Sequence, residues 1–119
     1  MEEPDQPAES YSVTFELPDG ERVSVEAGAE EHILDAARRA GLDLPSRCEQ
    51  GWDLVCAARV LRGRFDQSDS RRYYEEDRAG GFALICTARA RSDLCMRTHQ
   101  SQAMRDARRA KGLPAPESV

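Results

Sequence analysis

Four cysteines, Cys48, Cys56, Cys86 and Cys95, constrain this 119-residue chain more than any other feature. Thiols that share a metal or a disulfide must meet within a few ångströms, so distant segments have to converge on them. Two disulfides would meet that demand. The N-terminus, however, is acidic and contains proline where a secretory signal would be basic and then apolar. Cysteines in a chain that stays in the cytoplasm are more often metal ligands or reactive groups. The expectation is a soluble, cytoplasmic protein in which disulfides are the less favoured use of the thiols. The length suits one domain with a modest core. No stretch approaches the ~18 consecutive apolar residues of a membrane span.

Hydrophobic periodicity supplies the elements. Residues 1–10 mix Glu, Asp, Pro, Gln and Ser without apolar repeat and are expected to form a flexible acidic leader. From Tyr11 the pattern alternates, with Val13, Phe15 and Leu17 on one face. Pro18-Asp19-Gly20 then turns the chain before Val23 and Val25 resume it, as in a β-hairpin. Glu30 and Glu31 open a helix in which Ile33, Leu34, Ala37 and Ala40 recur at helical spacing, and Gly41 ends it. A short strand is expected around Val60-Leu61, a helical turn or two over 73–78, and further strands at Phe82-Ala83-Leu84-Ile85 and Leu94-Cys95-Met96. The apolar run at Phe82 reads as a buried central strand. Cys95 is expected to pack as a small hydrophobe.

The tail is distinct. Residues 100–111 are rich in helix formers, with Gly112 and Pro114 as a stop. Ala103, Met104 and Ala107 give this helix an apolar side, and Arg105, Arg108, Arg109 and Lys111 are read as keeping the rest cationic. Its expected use is packing on its own domain.

Charge separates along the chain. The formal net charge is -5, yet residues 1–50 carry 13 acidic and 4 basic side chains while residues 95–119 carry 2 and 5. This pattern does not indicate nucleic-acid binding. An acidic face suits electrostatic docking to a basic protein, and ordinary solubilising charge explains it equally well. Neither His32 nor His99 is accompanied by a nucleophile pattern, so catalysis is not expected.

The cysteine region reads Cys48-Glu49-Gln50-Gly51-Trp52-Asp53-Leu54-Val55-Cys56, with Cys86 beyond twenty-nine intervening residues. Asp43-Leu44-Pro45 precede it and Phe65-Asp66-Gln67-Ser68-Asp69 follow. Leu84-Ile85-Cys86 and Ser92-Asp93-Leu94 close the segment. In order and offset, residues 11–99 resemble the plant-type 2Fe-2S ferredoxins, whose loop spacing is CxxxxCxxC with a remote fourth cysteine. The resemblance implies an α+β fold of the β-grasp kind. A mixed sheet would pack on one main helix, with a short second helix and residues 100–119 as a C-terminal helical extension.

The resemblance also implies a 2Fe-2S cluster with Cys48, Asp53, Cys56 and Cys86 as its cofactor- and metal-binding residues. Asp53 stands where the family has its second cysteine. A carboxylate preserves the anionic charge lost with the sulfur, and as a hard oxygen donor it favours ferric iron and a lower reduction potential. Trp52, Leu54 and Val55 are bulky where the family uses small residues, while Gly51 keeps room for close backbone approach.

The implied function is one-electron transfer from a reductase to an acceptor enzyme, by a monomer without substrate chemistry of its own. Glu75, Glu76 and Asp77, with Glu30, Glu31 and Asp35, are the acidic groups expected to face partners. Arg72 and Arg97 replace an aromatic and an acidic position of the family, which argues against the usual photosynthetic reductase. Two other readings stand beside this one. One is a cluster-free β-grasp module that binds or regulates another protein. The other is a mononuclear zinc site of three sulfurs and one carboxylate.

Overall fold

A computed structural model describes residues 10–45, 54–70 and 72–115. Most of the expected leader, the stretch holding Cys48, Gly51, Trp52 and Asp53, and the last four residues lie outside the described residues. The architecture is α+β, a five-stranded mixed sheet with a main helix, two further helices and a small two-stranded sheet.

The hairpin forms as its alternation requires. Strands β1 (Ser10–Glu16) and β2 (Arg22–Gly28) pair antiparallel, so the first strand takes in Ser10, which the sequence had placed in the leader. Val13, Phe15, Val25 and Ala27 face the core. Helix α1 (Ile33–Arg39) packs on this hairpin, burying Ile33, Leu34, Ala36 and Ala37. His32 is the residue just before the helix, not within it. Gly41 has φ 86, a left-handed conformation that suits glycine as the chain leaves the helix.

Next come β3 (Ala57–Arg62), β4 (Phe65–Asp66), α2 (Glu75–Ala79), β5 (Phe82–Leu84), β6 (Arg89–Ala90), β7 (Leu94–Arg97) and α3 (Ser101–Ala110). The large sheet has the order β2-β1-β7-β3-β5, and β1 with β7 is its parallel pair. Strand β7 is therefore central. The segment at Phe82, expected in the centre, is an edge strand. Its residues are nonetheless buried, and α2 packs against it. An apolar run reports burial, and a helix can bury an edge as well as a neighbouring strand can. Gly63 follows β3, where a Cβ atom would collide with the Asp93 carbonyl and the Leu94 side chain.

The tail corrects two readings. Helix α3 does pack on its own domain, and Met104 is fully buried. Arg108, read as part of the cationic outer side, is 1% exposed, and Asp77, read as a surface acid, is 3% exposed. The two form a bidentate pair, Arg108 Nη2 to Asp77 Oδ2 at 2.7 Å and Nε to Oδ1 at 3.0 Å. Arg108 also donates to the carbonyls of Arg72 at 2.9 Å and Pro114 at 3.1 Å, and stacks over Tyr74 at 4.8 Å. Asp77 accepts in addition from the Tyr74 amide at 2.8 Å. Helical spacing places Arg108 four residues after Met104, on the buried side, and a buried charge persists only with such partners.

Candidate metal centre

Two of the four candidate ligands lie among the described residues, and the sheet brings them together. Strands β3 and β5 are antiparallel, with Ala57 opposite Leu84. Cys56 immediately precedes the first and Cys86 lies two residues past the end of the second, so both emerge at the same end. Their Sγ atoms are 3.0 Å apart, and the residues are 4% and 5% exposed. A disulfide requires about 2.05 Å. Two thiolates on one tetrahedral metal, with metal–sulfur bonds of ~2.3 Å, stand ~3.7 Å apart. The observed separation lies between these two values, and two soft sulfurs in an apolar setting are donor chemistry that fits an iron–sulfur cluster. Cys48 and Asp53, the other two candidates, are outside the described residues. Among the described residues no group of three or more His, Cys, Asp and Glu forms a metal cage.

The two cysteine segments are built differently. Ahead of Cys56, Leu54 is fully buried with φ 69, left-handed backbone in a residue that bears a Cβ. Its carbonyl accepts from the Ala57 amide at 3.1 Å, so the chain turns sharply while the Leu54 side chain anchors in the core. The bulky residue noted in the sequence is therefore a packing anchor of this loop. Around Cys86 the main chain is held by the first turn of α1. The Leu34 amide donates to the Ile85 carbonyl and the Ile33 amide to the Ala88 carbonyl, both at 2.9 Å. These amides have no partner within their helix, which is why they are free to bind the loop. Gln67, 4% exposed, holds the other side of the segment through hydrogen bonds to Leu84 and Thr87.

Cys95 lies in the middle of β7, 7% exposed and in register with Thr14 of β1. It is buried, as expected.

An exposed network joins the loop after β4 to the segment past Cys86. His32 Nε2 lies 2.8 Å from Asp69 Oδ2, and Arg89 pairs with the same carboxylate. Arg89 Nε also donates to the Glu30 carbonyl at 3.1 Å. The His32 hydrogen bond, aided by the charge of Arg89, holds the Asp69 carboxyl below its ordinary range. A carboxylate whose pKa is depressed by folding stabilises the native state above its unfolded pKa of ~3.9, and this contribution fades as the pH falls through the folded value. Asp69→Asn is therefore expected to lower the urea midpoint at pH 7. The gap between variant and parent should close once the pH is well below ~3.9. A gap that persists unchanged at acid pH contradicts the assignment.

Partner-facing charge is thinner than the sequence implied. Glu31 is paired with Arg39 at 2.7 Å, and Asp77 is buried against Arg108. Glu30, Asp35, Glu75 and Glu76 remain exposed. Arg97, Arg22 and Glu16 join on the sheet surface, Arg97 Nε to Glu16 Oε1 at 2.6 Å and Arg22 Nη2 to Glu16 Oε2 at 3.1 Å. Arg72 is exposed. Among the described residues no helix is long and apolar enough to cross a membrane.

Three structural features have little signature in the sequence: the left-handed Leu54, the buried Gln67 and the Asp77–Arg108 pair. The one local signal at Gln67 is a polar residue two positions after the apolar Phe65. Nothing local distinguishes Arg108 from its neighbouring arginines except its register with Met104.

Residues 16–91 match the 2Fe-2S iron-sulfur cluster binding domain family. Ferredoxin-2 of Synechococcus sp. is 40% identical over 81 residues, which cover 68% of this chain and 77% of that protein. The vegetative ferredoxin of Trichormus variabilis is 43% identical over 68 residues, covering 57% and 69%. Among solved structures, pectocin M2 is similar with a TM-score of 0.73 and 26% identity over 80% of this chain. The Amycolatopsis cytochrome P450 reductase GcoB is similar with a TM-score of 0.63 and 31% identity over 73%. The chain spans only 34% and 25% of those two solved chains. With the family match over most of its length and the β-grasp sheet that places Cys56 beside Cys86, the chain belongs to the plant-type ferredoxins, electron-transfer proteins whose cofactor is a 2Fe-2S cluster.

Proposed function

We propose that this protein is a one-electron carrier whose 2Fe-2S cluster is held by Cys48, Asp53, Cys56 and Cys86, and that it passes electrons from a reductase to an acceptor enzyme. The observation that carries the reading is the meeting of Cys56 and Cys86, thirty positions apart, with buried sulfurs 3.0 Å from one another. Cys56 and Cys86 would bind through sulfur. Asp53, in the position of the missing cysteine, would bind through a carboxylate oxygen and keep the ligand charge. When bound, such a cluster supplies a reversible one-electron couple. The chain's own part would be to hold the ligands and to exclude water from them, a role that the burial of Leu54, Cys56 and Cys86 supports.

The partners follow from charge. Exposed Glu30, Asp35, Glu75 and Glu76 suit a basic docking surface, while the exposed Arg97 is already paired with Glu16. Residues 11–99 would form the electron-transfer domain and residues 100–119 an extension docked on it by α3.

Anaerobic reconstitution with iron and sulfide tests the reading. About two irons per chain and a visible spectrum that bleaches on reduction are expected. Colourless protein after reconstitution would instead favour a cluster-free interaction module. Asp53→Cys should raise the reduction potential and Asp53→Ala should weaken iron retention, each with a changed spectrum. An unchanged spectrum in Asp53→Ala removes the carboxylate from the ligand set.

A further inference from the structure

We infer that Gln67 is a positioning residue for Cys86, setting the path of the main chain on either side of that thiol; this rests on the placement of Cys86 at the metal site proposed above. The side chain is 4% exposed. Its Oε1 accepts from the Leu84 amide at 2.9 Å, and its Nε2 donates to the Leu84 carbonyl at 3.0 Å and to Thr87 Oγ1 at 3.1 Å. One planar amide thus grips the backbone two residues before Cys86 and a side-chain hydroxyl one residue after it.

The grip is where it is because β5 is an edge strand. Leu84 points its amide and carbonyl away from β3, where a further strand would otherwise satisfy them, and the Gln67 amide offers the same donor–acceptor pair as a strand backbone. Ser70 extends the arrangement, its hydroxyl 2.9 Å from Thr87 Oγ1 and 3.3 Å from Gln67 Nε2. On the opposite side the Leu34 amide of α1 binds the Ile85 carbonyl. The Cys86 segment therefore sits between a helix terminus and a side-chain amide, each fixing a different peptide. Removing the amide strips the Leu84 amide of its partner, while the Leu84 carbonyl keeps the Thr87 amide at 3.1 Å. The thiol would then lose its fixed aim at Cys56 while the core beneath it persists.

Leucine at this position fills the same space but cannot bond to Leu84 or Thr87. Glutamate keeps the acceptor for the Leu84 amide and turns a second acceptor on the Leu84 carbonyl. Gln67→Leu and Gln67→Glu are to be compared with the parent protein and with Val13→Ala, a core substitution in β1 that lowers stability without touching Gln67. Three readings are taken: chelator-driven iron release from reconstituted protein, the electron paramagnetic resonance line shape of the reduced protein, and alkylation of Cys86 relative to Cys95 in the metal-free protein. Gln67→Leu should release iron at least tenfold faster than Val13→Ala at a temperature where both are folded. It should also show an altered line shape and alkylate Cys86 at least tenfold faster than the parent does. Gln67→Glu should fall between leucine and the parent. A parental line shape with iron release no faster than in Val13→Ala would make Gln67 an ordinary core residue and overturn the inference. If the parent takes up no iron, the proposed function fails by itself, and the alkylation ratio still decides the role of Gln67: unchanged ratios overturn it, and a tenfold rise supports it.

Discussion

Replacing Arg108 by alanine is expected to destabilise the protein by about 3–5 kcal/mol, the cost of leaving one member of a buried ion pair without the other. The variant strands the Asp77 carboxylate in a site where it is 3% exposed, and frees the carbonyls of Arg72 and Pro114. It also loses the contact of the guanidinium with Tyr74. Urea denaturation at pH 7 measures the loss. The double variant Asp77→Leu/Arg108→Met should recover a large part of it, since an apolar pair avoids the stranded charge and buried ion pairs are often replaceable in this way. Arg109→Ala, one position on, removes an exposed guanidinium and should change stability by less than ~0.5 kcal/mol. A loss below ~1 kcal/mol in Arg108→Ala would mean that α3 detaches without disturbing the rest, contrary to the buried Met104 and to the Gln100 amide bound to the Ala57 carbonyl at 3.0 Å.

The second large effect is expected at Leu54, and its sign between two substitutions is the informative part. Leu54→Ala removes a fully buried side chain and should cost about 2–5 kcal/mol. Leu54→Gly removes one carbon more, and at ordinary positions glycine is the worse of the two by up to ~1 kcal/mol. Here φ is 69, where a Cβ atom costs roughly 1–2 kcal/mol. Glycine should therefore equal or exceed alanine in stability. Thermal and urea unfolding of the two variants side by side check this, and alanine clearly above glycine would show that the left-handed turn before Cys56 is not retained. With Cys56 a ligand as proposed, both variants should lose iron faster than the parent protein, because Leu54 anchors the chain two residues before it.

The hairpin, α1 and α3 were legible because each repeats an apolar residue at its own period. Val13, Phe15 and Val25 alternate, whereas Ile33, Leu34 and Ala37 recur on one helical face, and the structure buries all six. Period reports which side of an element is covered. It does not report by what, so Phe82 to Leu84 read correctly as buried and incorrectly as central, α2 packing on them where a strand was expected. The charged residues failed for a related reason. Asp77 and Arg108 are separated by thirty residues, and each alone looks like the solvated charge that most such residues are. Only the docking of α3 beside α2 makes them partners.

The chain's residue order alone settled the family, the α+β content and the spacing of its cysteines, because these depend on local periodicity and on register within one loop. What required the folded molecule was the convergence of β3 and β5 at one end, which sets Cys56 against Cys86 at 3.0 Å. The burial of Gln67 and of the Asp77–Arg108 pair required it too. Each of these is a contact between residues distant in the chain, decided by which surfaces the sheet and helices bring together and not by the preferences of any single segment.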